Sequence, residues 1–141
     1  MSSYVLSLFL AVLACVIGGS LGGMILARPQ TMLGLAGLAD DDTPKPPLFA
    51  EGRALGGVLI ASHGVAALYL GYQPRIGAAM ALALAVAWLG AAAGRAISAA
   101  MDGEAGRYNS GAMVFNALIG ITLSLPFFNI GRVVLEGARL A

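Results

Sequence analysis

Four apolar runs, separated by breaks marked with proline, glycine or charge, organise this sequence. The first extends from about Tyr4 to Ala27 and stops at Arg28-Pro29. The second, about Ala50 to Tyr72, closes at Gln73-Pro74, because a residue before proline is pushed out of the α region. Pro74 suits the first turn of a third helix, which continues to Met101 and ends at Asp102-Gly103. The fourth starts near Ser110, a good N-cap, and runs towards Leu140 with Pro126 inside it. A bilayer asks for roughly 17–25 apolar residues per helix, and each run reaches that length. None alternates apolar and polar residues as an outer-membrane strand does. Alanine and leucine, both strong helix formers, dominate the third run. The pattern predicts an all-α protein, a single transmembrane domain over 1–141 folded as an up-down four-helix bundle. Both termini fall on one membrane side, helix four is kinked at Pro126 by the clash with the Thr122 carbonyl, and a long loop occupies 28–49.

Composition supports the same class. The chain is 59% hydrophobic and 11% charged, with a mean hydropathy of +0.86, whereas a soluble domain carries about 25% charged residues. A net charge of +1 gives no reason to expect nucleic acid. Cys15 is the only cysteine, so an internal disulfide is excluded. The first run lacks a basic n-region and is too long for an ordinary signal h-region, so it is expected to be a true span. Outside the spans, Arg28, Lys45 and Arg107 fall on one side and Arg75, Arg132 and Arg139 on the other. The positive-inside rule therefore assigns no orientation.

Small residues recur at helical spacing. Helix one carries two overlapping GxxxG pairs, Gly18/Gly22 and Gly19/Gly23; helix two has Gly52, Gly56, Gly57 and Gly64; helix three has Gly90 and Gly94. Such positions let backbones approach closely in lipid. They can pack this bundle internally, or lie outside and dock another chain; both uses are expected here.

Alternate crossings place polar residues from three helices at one end of the bundle, on the side of the first loop. Glu51 and Arg53 open helix two, Arg95, Ser98 and Asp102 close helix three, and Asn116 lies about two turns into helix four. Arg95, Ser98 and Asp102 follow at i, i+3 and i+7 on one face, which continues back through Ala91 to Trp88. Arg95 sits roughly 10 Å before Asp102 along the axis. An exposed arginine at such depth is costly, so it should face the bundle, find an acid or carbonyls, and share a polar cluster with Glu51 or Asp102, unless Asp102 pairs with Arg53 instead. The six residues form either a structural ion-pair network or a pocket for a headgroup, carboxylate or quinone-like ligand.

The loop side adds an apolar stretch, Met32 to Leu38, expected to lie in the interface. Asp40-Asp41-Asp42 follow as a solvated turn, too few oxygens for a hard-cation site. His63, the only histidine, falls near mid-membrane. A buried, hydrogen-bonded neutral ring is the expected state, with axial ligation of a haem or chlorophyll as the alternative. No Ser-His-acid arrangement, phosphate loop, CxxC or HExxH is present, so neither catalytic residues nor a metal site are assigned and the cofactor stays unknown.

Ala50-Glu51-Gly52-Arg53-Ala54 followed by Gly56-Gly57, with Gly94-Arg95 leading to Asp102-Gly103, resembles a family of small bacterial four-helix membrane proteins of unknown function. The resemblance covers roughly 49–128; helix one and the following loop match only in character. It implies the four-helix fold and a multi-pass place in a bacterial inner membrane, and brings no activity.

Three function classes follow. An accessory or scaffold subunit, packing against other membrane chains or itself through glycine-rich faces, fits the absence of reaction machinery. A small-molecule, lipid or quinone-binding protein using the polar end is the alternative. A small exporter would need a membrane-embedded glutamate in its first helix, and this helix one is uncharged.

Overall fold

The structure is a computed structural model that describes residues 3–35, 46–103 and 106–139. Among the described residues there are four long helices, α1 (Ser3–Ala27), α3 (Pro46–Tyr72), α4 (Pro74–Met101) and α5 (Arg107–Arg139), with a short α2 (Pro29–Leu35) between the first two. No strand occurs among them. The four long helices, α5 through its Arg107–Asn129 portion, are long and apolar enough to cross a membrane. α1 packs chiefly on α3 and α4 on α5, and the α3–α4 and α1–α5 contacts close the bundle.

What lies inside and outside identifies the solvent. The core is built from small side chains: Ala11, Ala14, Cys15, Ala66, Ala78, Ala81 and Ala85 are buried. Leu70, Trp88, Ile119 and Leu123 are buried among them, but many large side chains point outwards, among them Phe9, Val16, Val58, Leu68, Val86, Leu118 and Phe128. Water would penalise that surface by about 25 cal/mol per Å², whereas lipid tails do not. Small residues inside and large ones outside are how helices associate in lipid, where close backbone approach drives packing. This is a multi-pass membrane protein.

The breaks explain the element boundaries. Gln73 alone joins α3 to α4: its N–H donates to the Tyr69 carbonyl at 2.8 Å, and its carbonyl accepts from the Gly77 N–H at 2.9 Å. So tight a reversal brings Gly77 onto the last turn of α3, where an added Cβ would collide with the backbone of Tyr69 and Leu70. At the other end of α4 the Asp102 N–H donates to the Ser98 carbonyl, and Gly103 follows at φ 74°. Glycine takes that left-handed angle without strain and ends the helix, as the sequence predicts.

Two starts differ from expectation. α3 begins at Pro46 rather than near Ala50, because prolines fit a first turn whose N–H groups lack partners anyway. α5 begins at Arg107, and Ser110 is already inside it, donating its backbone N–H to the Gly106 carbonyl at 3.0 Å. Ser110 is therefore not the N-cap. Within the first loop Pro29–Leu35 forms α2, which contacts both α1 and α3. The acidic turn at 40–42 lies outside the described residues. α5 continues as helix through the buried Pro126, although the Thr122 carbonyl loses its usual partner there.

As four successive spans, the helices put Ser3 and the far end of the Arg107–Asn129 span on one face of the membrane. Reporter fusions at the two ends should report the same compartment; opposite compartments would refute the four-span topology.

Candidate functional site

At mid-bundle the four long helices meet in one layer, Gly18 on α1, His63 on α3, Trp88 on α4 and Phe115 on α5. Trp88 Nε1 donates to His63 Nε2 at 2.9 Å. An indole N–H can only donate, so Nε2 carries the lone pair. Nδ1 is then the protonated nitrogen of a neutral ring, and it donates to the Leu59 carbonyl at 2.8 Å. His63 is 1% exposed. Its ring meets Trp88 edge-on, with centroids 5.9 Å apart, and Trp88 meets Phe115 in the same way. Gly18 completes the layer from α1: an added Cβ would run into the imidazole.

Both ring nitrogens of His63 are thus committed within the bundle. Axial ligation would require taking Nε2 from Trp88. Among the described residues no group of three or more His, Cys, Asp or Glu side chains could hold a metal ion. His63 is the buried, hydrogen-bonded histidine that the sequence anticipates, and its partner is Trp88.

The overlapping GxxxG pairs of α1 divide between two surfaces, because neighbouring helix positions differ by about 100° in direction. Gly18 and Gly22 face α3. A Cβ on Gly22 would come within 2.7 Å of the Gly56 carbonyl oxygen, and one on Gly56 would meet the Gly22 carbonyl oxygen as closely. Gly19 and Gly23 instead line an open groove of about 400 Å³ between α1 and α3. Cys15, Ser20 and Gly64 also line it, with one side of His63. Nothing stands within 4 Å of a Cβ built at Gly23, Gly57 or Gly64. The groove is apolar and glycine-floored, and opens away from the bundle core.

The polar residues predicted to converge differ in exposure. Glu51, Arg53 and Asp102 are exposed, Arg95 and Ser98 half-buried and Asn116 buried. Among the described residues no hydrogen bond or ion pair joins any two of these six. Arg95 takes a different partner. Its Nη1 donates to Asn109 Oδ1 at 3.3 Å, and Asn109 Nδ2 returns a bond to the Arg95 carbonyl at 3.2 Å. The guanidinium carbon lies 5.8 Å from the centre of the Tyr108 ring. The pairing with Glu51 or Asp102 is not formed, for a physical reason. α5 packs most closely on α4, and its first turn brings a neutral amide to Arg95, while Asp102 stays two turns further along α4's own axis.

The sequence reading, which expects an acid or carbonyls beside Arg95, misses Tyr108 and Asn109. An amide one turn into the next helix was the signal to follow. Gly77 was missed too, although a glycine three residues after a Gln-Pro break between two helices marks a tight reversal.

A family model described as a domain of unknown function (DUF4345) matches residues 5–126. No curated protein and no solved structure matches the chain.

Proposed function

We propose, for a chain that belongs to the DUF4345 family of domains of unknown function, that it works as an accessory subunit whose α1/α3 groove receives a transmembrane helix of another membrane chain. The observation that carries this reading is the division of the small residues. Inside, Gly18, Gly22 and Gly56 are filled to contact by this bundle. Outside, Gly23 and Gly64 meet open space in a groove that also presents Gly19 and Ser20. The inner set supports the fold, and the outer set offers the same close approach to a helix that is not part of this chain. Glycines on a lipid-facing surface contribute neither side-chain packing nor helix propensity, so fold stability alone gives no reason for them.

A photo-crosslinking residue at Ser20, inside the groove, tests the reading in native membranes. The expected result is one discrete protein adduct that is absent when the crosslinker sits at Val86, exposed on α4. Gly23→Leu should abolish the adduct by filling the groove. An adduct with the mass of two copies would reassign the occupant to a second copy of this chain. Lipid adducts alone at Ser20 would overturn the proposal.

The ligand-binding alternative draws on a different place, the α4/α5 corner around Arg95.

A further inference from the structure

Arg95 brings a positive charge into an apolar helix, six residues before α4 ends at Met101. Such a charge needs a counter-charge or enough polar contacts to stand in for water. Among the described residues no carboxylate pairs with it. Its partners are a neutral amide, Asn109, and the face of a neutral ring, Tyr108. The amide orients the guanidinium without neutralising it, since Asn109 also returns a bond to the Arg95 backbone.

The surroundings make the charge harder to leave uncompensated. Asn109 and Tyr108 belong to the first turn of α5, a helix of 33 residues with no acid in that turn. The N-terminus of a helix carries the positive end of its dipole, which disfavours a cation and favours an anion. Arg107 adds a second full charge as the first residue of the same turn. Arg95 is thus held against the first turn of α5, the turn that Arg107 opens, while Asp102 stays exposed past the end of α4. That α4/α5 corner lies where an apolar span reaches the headgroup layer, and the anion abundant there is the lipid phosphate.

We infer that Arg95, held by Asn109 and Tyr108, and Arg107 on the same turn form a binding site for the phosphate of an anionic lipid. Arg95 is the principal contact, because a guanidinium forks two N–H groups onto phosphate oxygens where an ammonium offers a point charge. The first backbone N–H groups of α5 supply further donors. The site is separate from the α1/α3 groove, and neither depends on the other.

The test uses the full chain, stripped of lipid in mild detergent and then given phosphatidylglycerol or phosphatidylcholine with identical acyl chains. Native mass spectrometry reads the bound fraction. Wild type should prefer phosphatidylglycerol by about tenfold, the scale of one hydrogen-bonded charge contact. Arg95→Gln, which can still bond to Asn109 while losing the charge, should erase the preference. Arg95→Lys should retain part of it. Arg107→Gln changes an exposed residue at the very start of the fourth span, should leave the fold intact, and should reduce the preference by a smaller factor. Equal retention of the two lipids by wild type would overturn the inference, as would an unchanged preference in Arg95→Gln. Should Arg95→Gln fail to fold, the wild-type comparison and Arg107→Gln decide, and no loss in Arg107→Gln would count against the site. Inorganic phosphate at millimolar concentration should leave the bound lipid in place; its displacement would identify free phosphate as the ligand and overturn the lipid assignment.

Discussion

Trp88→Ala is expected to lower stability by about 3–5 kcal/mol, the range for removing a large buried aromatic side chain. Trp88 joins three helices, through its hydrogen bond to His63 on α3 and its edge contact with Phe115 on α5. Most of the core around it is alanine, and alanines cannot move in to fill the volume an indole leaves. The truncation also strips His63 Nε2 of its donor in an apolar interior, where an unsatisfied polar atom costs about 1–3 kcal/mol. Trp88→Phe largely separates the two contributions, since it keeps most of the aromatic bulk while losing the N–H. Its loss should fall near the hydrogen-bond range alone. Unfolding in mild detergent, followed by tryptophan-independent circular dichroism, measures both. A Trp88→Ala protein as stable as wild type would remove the His63–Trp88 layer from any account of this fold.

Gly77→Ala is the second large effect, from one added methyl group. Its Cβ would collide with the backbone of Tyr69 and Leu70, and backbone cannot turn aside as a flexible side chain can. Relief would require α4 to move off the end of α3, which the single-residue link at Gln73 resists. A loss of about 3 kcal/mol is expected, at the upper end for overpacking. Alanine is normally the better helix former by about 1 kcal/mol, so position decides the sign. Gly90→Ala, at a site with open space on the same helix, should be neutral or mildly stabilising. Equal effects at 77 and 90 would contradict the tight reversal.

The spans were legible from sequence because lipid demands length and apolarity, which composition displays directly. The helix stops were legible wherever a covalent constraint marks them, as at Gln73-Pro74 and Asp102-Gly103. The starts of α3 and α5 were not, because proline within a first turn and serine beyond one are both compatible with helix. Face assignment on α1 was hidden by a one-residue offset. Gly22 and Gly23 carry the same pattern, and only the position of α3 separates them. Nor does spacing reveal the His63–Trp88 bond. The hairpin about Gln73 places Trp88 further from the turn than His63. Helical side chains lean towards their own N-terminus, so in antiparallel helices the two rings lean towards each other and meet. The six-residue polar end was read from which membrane side each residue occupies, and shared depth alone does not specify which side chains touch.

The claim that the outer small residues serve another chain while the inner ones serve this fold is tested most directly at Gly22 and Gly23. Each is changed to leucine, and the photo-adduct from Ser20 is measured together with the unfolding midpoint. The account predicts that Gly22→Leu lowers the midpoint strongly, because its Cβ would meet Gly56 and Leu59. Gly23→Leu should keep the midpoint close to wild type and lose the protein adduct. A Gly23→Leu protein that is stable and still forms the same adduct would contradict the account.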